Sequence, residues 1–342
     1  MIETLFRIER PVVQAPMAGV QGSALAIAVC EGGGLGSLPC AMLSADVVRT
    51  EVAAIRARSD RPFNLNFFCY EPPRPDAARE AQWRALLAPY YREAGLDPAA
   101  AASAPARKPF DDEAAALVEE LRPPVVSFHF GLPAAPLLAR VRAAGARILS
   151  SATTVAEARW LEARGVDAIV AQGLEAGGHR GHFLSRDLLL QGGLFALLPR
   201  MVQAVDVPVI AAGGVADARG VEAALALGAA GVQVGTAYLL CPEATTRPAH
   251  RAALKDTDAP TMLTNLFSGG AARGIVNRLM RELGPMRAEA PEFPLASSAL
   301  APLRAWAEAS GSGDFSPLWA GQNTLGCREI SAAELTRELA PH

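Results

Sequence analysis

Eight short apolar, β-prone runs recur along this chain, and segments with helical periodicity lie between most of them. The runs read VVQAP (12–16), LGSLP (35–39), FNLNFF (63–68), VVSFHFG (125–131), RILSSA (147–152), AIVAQG (168–173), PVIAAGG (208–214) and GVQVGTAYL (231–239). The helical segments include SALAIAVCEGG, ADVVRTEVAAIRA, DEAAALVEEL, VAEARWLEA and ARGVEAALAL. Strands separated by helices pair in parallel, because a parallel crossover needs a long connection and a helix supplies one. Gly145, Gly165 and Gly228 each stand between a helical segment and the next strand, where a C-cap is expected. Eight such units predict an α/β fold, a (β/α)₈ TIM barrel, whose usual size is about 250 residues. A doubly wound open sheet is the competing architecture. The number of units and the glycines at the strand ends favour the barrel.

Two stretches exceed a minimal barrel. Residues 70–110 are rich in Pro and Ala around an aromatic piece, WRALLAPYY. A connection of that length is usually a lid or a flexible segment. The chain after residue 240 reads as helices joined by loops such as SGSGDFSP. The expected division is therefore a barrel at 1–240 with 70–110 as its cover over the active-site face. Residues 241–342 would be a mainly helical extension packing on the barrel.

Charge and cysteine usage remove several classes of function. The formal net charge is −3, with no basic block, which gives no footing for nucleic acid or an anionic membrane. No apolar run approaches the roughly 18 residues of a membrane span, and MIETLFRIERP lacks a signal-peptide core. The five cysteines (Cys30, Cys40, Cys69, Cys241, Cys327) are odd in number, scattered and without a C-x-x-C. That usage suits a reducing cytoplasm and argues against a disulfide framework or a metal site. The expectation is a cytoplasmic protein without metal, with homo-oligomer formation left open.

The glycine-rich strand ends carry the first functional signal. Active sites of (β/α)₈ barrels lie at the C-terminal ends of the strands, often with a phosphate site in the loops after strands 7 and 8. Strand 7 runs into AAGGVADARG, where Gly213 and Gly214 would let the backbone approach a phosphate, and the following helix would aim its free N–H groups there. The strand 8 run, Gln233, Val234, Gly235 and Thr236, adds a backbone donor and a hydroxyl. The competing reading makes these glycines turn and cap residues only. No G-x-G-x-x-G follows the first strand, and GGGLG (32–36) follows a helix, so a dinucleotide fingerprint is absent. A sugar phosphate or a flavin would fit such a site. Met17 offers a polarisable face for a flat ring, and Asn66 and Gln172 offer amides.

The second signal is QGLEAGGHRGHF, residues 172–183. Glycines this dense cost backbone entropy, which suggests a close approach to something. Gly177 and Gly178 would bring the loop near a ring and let His179 point into the site. His182 would face solvent or pack with Phe183. His129, on a strand, reads either as a satisfied core histidine or as a second titrating group. His250 and His342 carry no functional signal. No Ser/His/Asp or Cys/His nucleophile set is evident.

Taken together, QAPMAGV, GGGLGSLP, FNLNFF, SFHFG, QGLEAGGHRG, AAGGVADARG, QVGTAYL and FSGGAARGIVNR resemble the FMN-dependent nitronate monooxygenases, formerly called 2-nitropropane dioxygenases. SFHFG and EAGGHRG are most similar to the class I branch. The resemblance runs from about residue 10 to WAGQ at 319–322. It implies FMN contacts at Met17, Asn66, Gln172, Gly177, Gly214 and the Gln233–Thr236 run, and an active-site histidine at His179. Two positions depart from the family pattern. His129 fills the variable place in SFxFG, and Gly270 follows FSG where the family often has a basic residue.

The implied reaction is oxidation of alkyl nitronates by O₂, giving a carbonyl compound and nitrite. His179 could hold the substrate anion as imidazolium, or take the α-proton of a nitroalkane as neutral base. Two alternatives share these motifs or part of them. One is an NADH-dependent FMN reductase of the enoyl-acyl-carrier-protein reductase or NADH:quinone reductase type. The other is a non-catalytic barrel that binds a phosphate ligand.

Overall fold

Each of the eight expected runs forms a strand. The computed structural model describes residues 2–98 and 107–340; positions 99–106 of the long insert and His342 lie outside the described residues. In chain order the strands are β1 (Val12–Gln14), β2 (Gly36–Pro39), β3 (Phe63–Phe68), β4 (Val125–His129), β5 (Arg147–Ala152), β6 (Ala168–Gln172), β7 (Gly178–His179), β8 (Val209–Ala212), β9 (Gly231–Val234), β10 (Thr261–Thr264) and β11 (Ala272–Ile275). All but β7, β10 and β11 pair in parallel, in the order β1-β9-β8-β6-β5-β4-β3-β2. A bridge between Val13 and Leu35 joins the two ends. Two backbone hydrogen bonds seal it, Gln14 N–H to Leu35 O at 3.0 Å and Leu35 N–H to Val12 O at 2.9 Å. The barrel reading therefore holds and the open sheet does not.

Strands covered on both faces need apolar residues on both, which explains the nearly unbroken apolar runs. Val13, Leu35, Leu149, Val170 and Ile210 fill the inside. Helix Ile2–Phe6 plugs the end where the strands begin. Gly231 makes that plug fit, because a Cβ there would stand 2.3 Å from Ile2 Cδ1. Outside the sheet, a larger cluster packs the strands against the helices. The last helix, Ala332–Leu339, belongs to that ring: Ala332, Leu335 and Leu339 are buried in it, and Thr336 Oγ1 lies 2.8 Å from the Tyr238 hydroxyl.

A second core lies over the strand C-termini. Helix Ala77–Glu93 of the insert buries Trp83, Leu87, Tyr90 and Tyr91 against Leu300 and Leu303 of helix Ser297–Ala309. Buried Trp and Tyr need partners for their polar tips. Trp83 Nε1–H donates to Ala296 O at 3.2 Å, and the Tyr91 hydroxyl donates to Ala299 O at 2.6 Å. The chain after residue 240 also contributes β10 and β11, which no periodicity announced. They form an antiparallel sheet with β7, pairing Ala272 with His179 and Arg273 with Gly178. Packing rather than chain order thus divides the molecule. The barrel takes its last helix from the chain's end, and the cap joins the insert to most of the segment after residue 240.

Candidate active site

One cavity opens at the C-terminal ends of the barrel strands, and the cap forms its far wall. Every candidate read from the sequence borders it except Val234. Successive strand side chains face opposite ways. Gln233 therefore meets the cavity, while Val234 is buried among the groups between sheet and helices. Arg107 from the insert joins His250, Arg304 and Trp319 from the later segment in the lining, and no Asp or Glu is among the described lining residues.

At one end the donors are backbone. Gly213 and Gly214 have φ of 119° and 73°, a region costly for residues with a Cβ. Among the described residues no backbone acceptor takes either N–H. A short 3₁₀ turn, Thr236–Leu240, starts directly after Gly235. The helix after β8 differs from expectation. Asp217 caps it, its carboxylate accepting the Gly220 N–H at 2.8 Å, and that negative charge makes the helix end a poor phosphate partner. The donors suited to a phosphate are those of the glycine turns. The C-terminal segment laces this end: Gly321 N–H donates to Thr236 Oγ1 at 2.9 Å and Asn323 Nδ2 donates to Gly214 O at 2.9 Å. Free backbone donors, an acid-free lining and the Met17 side chain near Gly235 fit a phosphate-bearing ring cofactor.

The other end is built around the loop after β6. The Gln172 amide, expected to face a ring, is engaged with its own loop: Nε2 donates to His179 O at 2.9 Å and Oε1 accepts from Gly181 N–H at 2.8 Å. Arg180 is buried beside it and donates to the carbonyls of Gln172 (2.8 Å) and Gly173 (2.6 Å) and to Gln191 Oε1 (2.8 Å). These bonds satisfy the carbonyls at the β6 end and hold the loop's shape. Asn66 likewise spends its NH₂ on Ser127 Oγ at 2.9 Å. Gly177 is required, for a reason the loop alone does not reveal. A Cβ there would stand 2.5 Å from Gly321 N and 2.6 Å from Ala320 C.

His179 emerges from this loop into an aromatic wall. Its ring lies 5.0 Å from Phe293 and 5.4 Å from Trp319, and Nε2 is 2.8 Å from Ser268 Oγ. Burial first, then the positive field of Arg107, holds its pKa well below 6.5, so the imidazole is neutral at neutral pH. That state leaves the ring able to accept a proton, as a weaker base than a free imidazole, and removes the imidazolium needed to hold an anion. His129 stands behind the loop. Its Nε2 faces the His179 carbonyl at 3.2 Å and its Nδ1 faces Ser151 Oγ at 2.6 Å. A carbonyl can only accept, so Nε2 carries the proton and Nδ1 accepts from the hydroxyl. Burial lowers its pKa to about 4, so this ring too is neutral at neutral pH, and it also borders the cavity. His182 pairs with the Gln191 amide at 3.0 Å instead of facing solvent.

Sequence reading missed Arg107, Ser268, His250, Phe293, Arg304 and Trp319 as parts of this site. His250 borders the cavity with a buried Nε2 that has no partner among the described residues, and burial lowers its pKa to about 4. Gly270 lies beside His179, since a Cβ on it would stand 3.4 Å from His179 Cδ2. The change at that position therefore bears on the histidine. Among the described residues no cluster of His, Cys, Asp or Glu could hold a metal, and no helix is long and apolar enough to cross a membrane.

Comparison with known proteins agrees with this arrangement. The family model for nitronate monooxygenase matches residues 1–342. A nitronate monooxygenase of Paraburkholderia phytofirmans is 44% identical over 340 residues, covering 98% of this chain and 92% of that relative. The structure of a nitroalkane oxidase from Streptomyces ansochromogenes superposes with a TM-score of 0.87 at 39% identity, covering 98% of this chain and 96% of that one. FabK from Thermotoga maritima superposes with a TM-score of 0.73 at 25% identity, covering 99% and 94%. With a family match along its whole length, the chain belongs to the nitronate monooxygenase family.

Proposed function

We propose that this protein oxidises small alkyl nitronates with O₂ on a non-covalently held FMN, giving a carbonyl compound and nitrite. The observation that carries the reading is the continuity of the cavity at the strand C-termini. The cavity joins a phosphate-sized set of backbone donors at one end to a neutral histidine at the other. When bound, FMN would supply the electron-acceptor chemistry that couples the substrate to O₂. Gly213, Gly214 and the Gly235–Thr236 turn would hold its phosphate, and Met17, Asn66 and Gln233 would hold its ring. His179 takes the α-proton when the substrate arrives as a neutral nitroalkane, and Ser268 orients its imidazole. The cap, insert included, covers the barrel mouth and limits access of bulk water.

The NADH-dependent reductase reading stays as the alternative, and the nitroalkane oxidase superposition is the stronger of the two described above, in both TM-score and identity. One experiment separates the readings. The purified protein should be yellow, and denaturation should release a flavin that chromatographs as FMN. Under anaerobic conditions a nitronate should bleach it and NADH should not. Release of FAD would overturn the cofactor assignment. Rapid bleaching by NADH, with enoyl thioester or quinone turnover and no response to nitronate, would overturn the reaction.

A further inference from the structure

We propose that Arg107 is the cation that holds the nitronate group of the substrate beside His179. This inference rests on the nitronate reading above and asks which side chain meets the anion. Arg107 and His179 flank the same ring: the guanidinium carbon lies 5.7 Å from the Phe293 centroid and the imidazole centroid lies 5.0 Å from it. Both border the cavity. The segment carrying the arginine is fixed by Tyr70, whose hydroxyl donates to the Arg107 carbonyl and whose ring packs edge-on to Phe293 at 4.9 Å. These neighbours place the guanidinium at the histidine end, away from the glycine turns assigned to the phosphate.

The other arginines near the site are committed. Arg304 is 2.7 Å from the Glu308 carboxylate, Arg180 donates to two carbonyls and an amide, and Arg273 donates to Leu174 O at 2.8 Å. No carboxylate among the described residues lies within ion-pair distance of the Arg107 guanidinium, and none borders the cavity. A half-buried guanidinium with an aromatic neighbour but no carboxylate partner among the described residues is well placed to take up an anion. A nitronate presents two coplanar oxygens sharing one negative charge, the shape that matches the guanidinium fork. The aromatic wall of Phe130, Phe293 and Trp319 lowers the local dielectric and strengthens such a pair. With His179 neutral, Arg107 is, among the described cavity-lining residues, the arginine without a carboxylate partner, since Arg304 pairs through Nε with Glu308. The division of labour is then an arginine for the anion and a histidine for the proton.

The test uses the FMN-loaded enzyme and inorganic nitrate, a planar anion of similar shape, followed by flavin absorbance and by competition with ethyl nitronate. Arg107→Met should raise the nitrate Kd and the nitronate KM together by about 10- to 100-fold, the range for one charge-assisted hydrogen bond. kcat should change little, and Arg107→Lys should recover part of the affinity. Unchanged nitrate affinity and nitronate KM in Arg107→Met would overturn the proposal while leaving wild-type nitronate turnover, and so the family reaction, intact.

A wild-type measurement covers the case where the variants do not fold. The groups around His179 are Arg107, His129 and His182, and those around Arg107 are Tyr70 and Arg304. If the arginine holds the anion, nitrate affinity stays level from pH 5.5 to 8.5. A fall in affinity as the pH passes through the imidazole range would assign the anion to a histidine and sink the proposal. Absence of nitronate oxidation by the wild-type enzyme would instead count against the reaction itself.

Discussion

The two ends of the cavity are made in different ways. At the glycine end, Gly213–Gly214 and Gly235–Thr236 follow directly from β8 and β9, and the groups that matter are backbone N–H donors. At the histidine end the groups are side chains gathered from far along the chain. His179 meets Ser268 across 89 residues, and Phe293, Trp319 and Arg107 come from three further segments. The backbone donors are set by their own turns, with only the Gly321 and Asn323 bonds reaching them from far along the chain. A side-chain site depends on the cap staying in register. Function is therefore expected to be more fragile at the histidine end.

The largest expected effect lies at the histidine end. His179→Asn should lower turnover of a neutral nitroalkane by about 10²- to 10⁴-fold, the usual value of a positioned general base. Turnover of the preformed nitronate should suffer far less, because its proton is already gone. Steady-state rates on the two substrates decide it, and equal losses would remove the base assignment.

The next effect tests the cap itself. Trp83 is fully buried between the insert helix and the later segment. Trp83→Ala should cost about 3–5 kcal/mol, the range for emptying such a site. Urea unfolding should show it, and nitronate turnover should fail at lower urea than release of the flavin. Simultaneous loss of both would mean that the two ends are not independent.

Acid should probe the buried imidazoles. His129 and His250 titrate at about 4 in the folded protein, against 6.5 for the free side chain. Between those values the unfolded chain binds protons that the folded one refuses. Stability is therefore full above pH 6.5 and declines as the pH falls toward 4. Each group contributes at most about 3 kcal/mol to that decline. Comparing denaturation midpoints at pH 7.5 and 5.0 should show a smaller gap for His129→Gln than for the wild type.

Two smaller changes sharpen the contrast. Gly214→Asp adds a Cβ at a positive φ, worth about 1–2 kcal/mol, and sets a carboxylate beside the donors proposed for the phosphate. FMN affinity should fall roughly 10- to 100-fold, counting the added charge. Equilibrium dialysis would settle it, and unchanged binding would move the phosphate elsewhere. Ser268→Ala removes the hydroxyl beside the imidazole, a bond worth about 1 kcal/mol. Nitroalkane turnover should drop several-fold with flavin content unaltered. No change in turnover would show that the aromatic wall alone orients His179.

The features legible in the sequence are those encoded locally. Apolar runs alternating with helical periods gave all eight barrel strands, and glycine marked where the backbone bends sharply at their ends. A histidine after two glycines was recognisable as the loop's projecting group. The tertiary structure decided everything that depends on residues distant in sequence. Helix Ala332–Leu339 closes the ring opened by β1, and β10–β11 pair with β7, though no pattern in the chain links them. Gly177 shows the division within one residue. The glycine was visible, but the reason for it is the Ala320–Gly321 backbone, which would meet a Cβ at 2.5–2.6 Å. Periodicity records how each segment sits on its own neighbours; which distant backbone comes to lie against it is fixed only when the whole core packs.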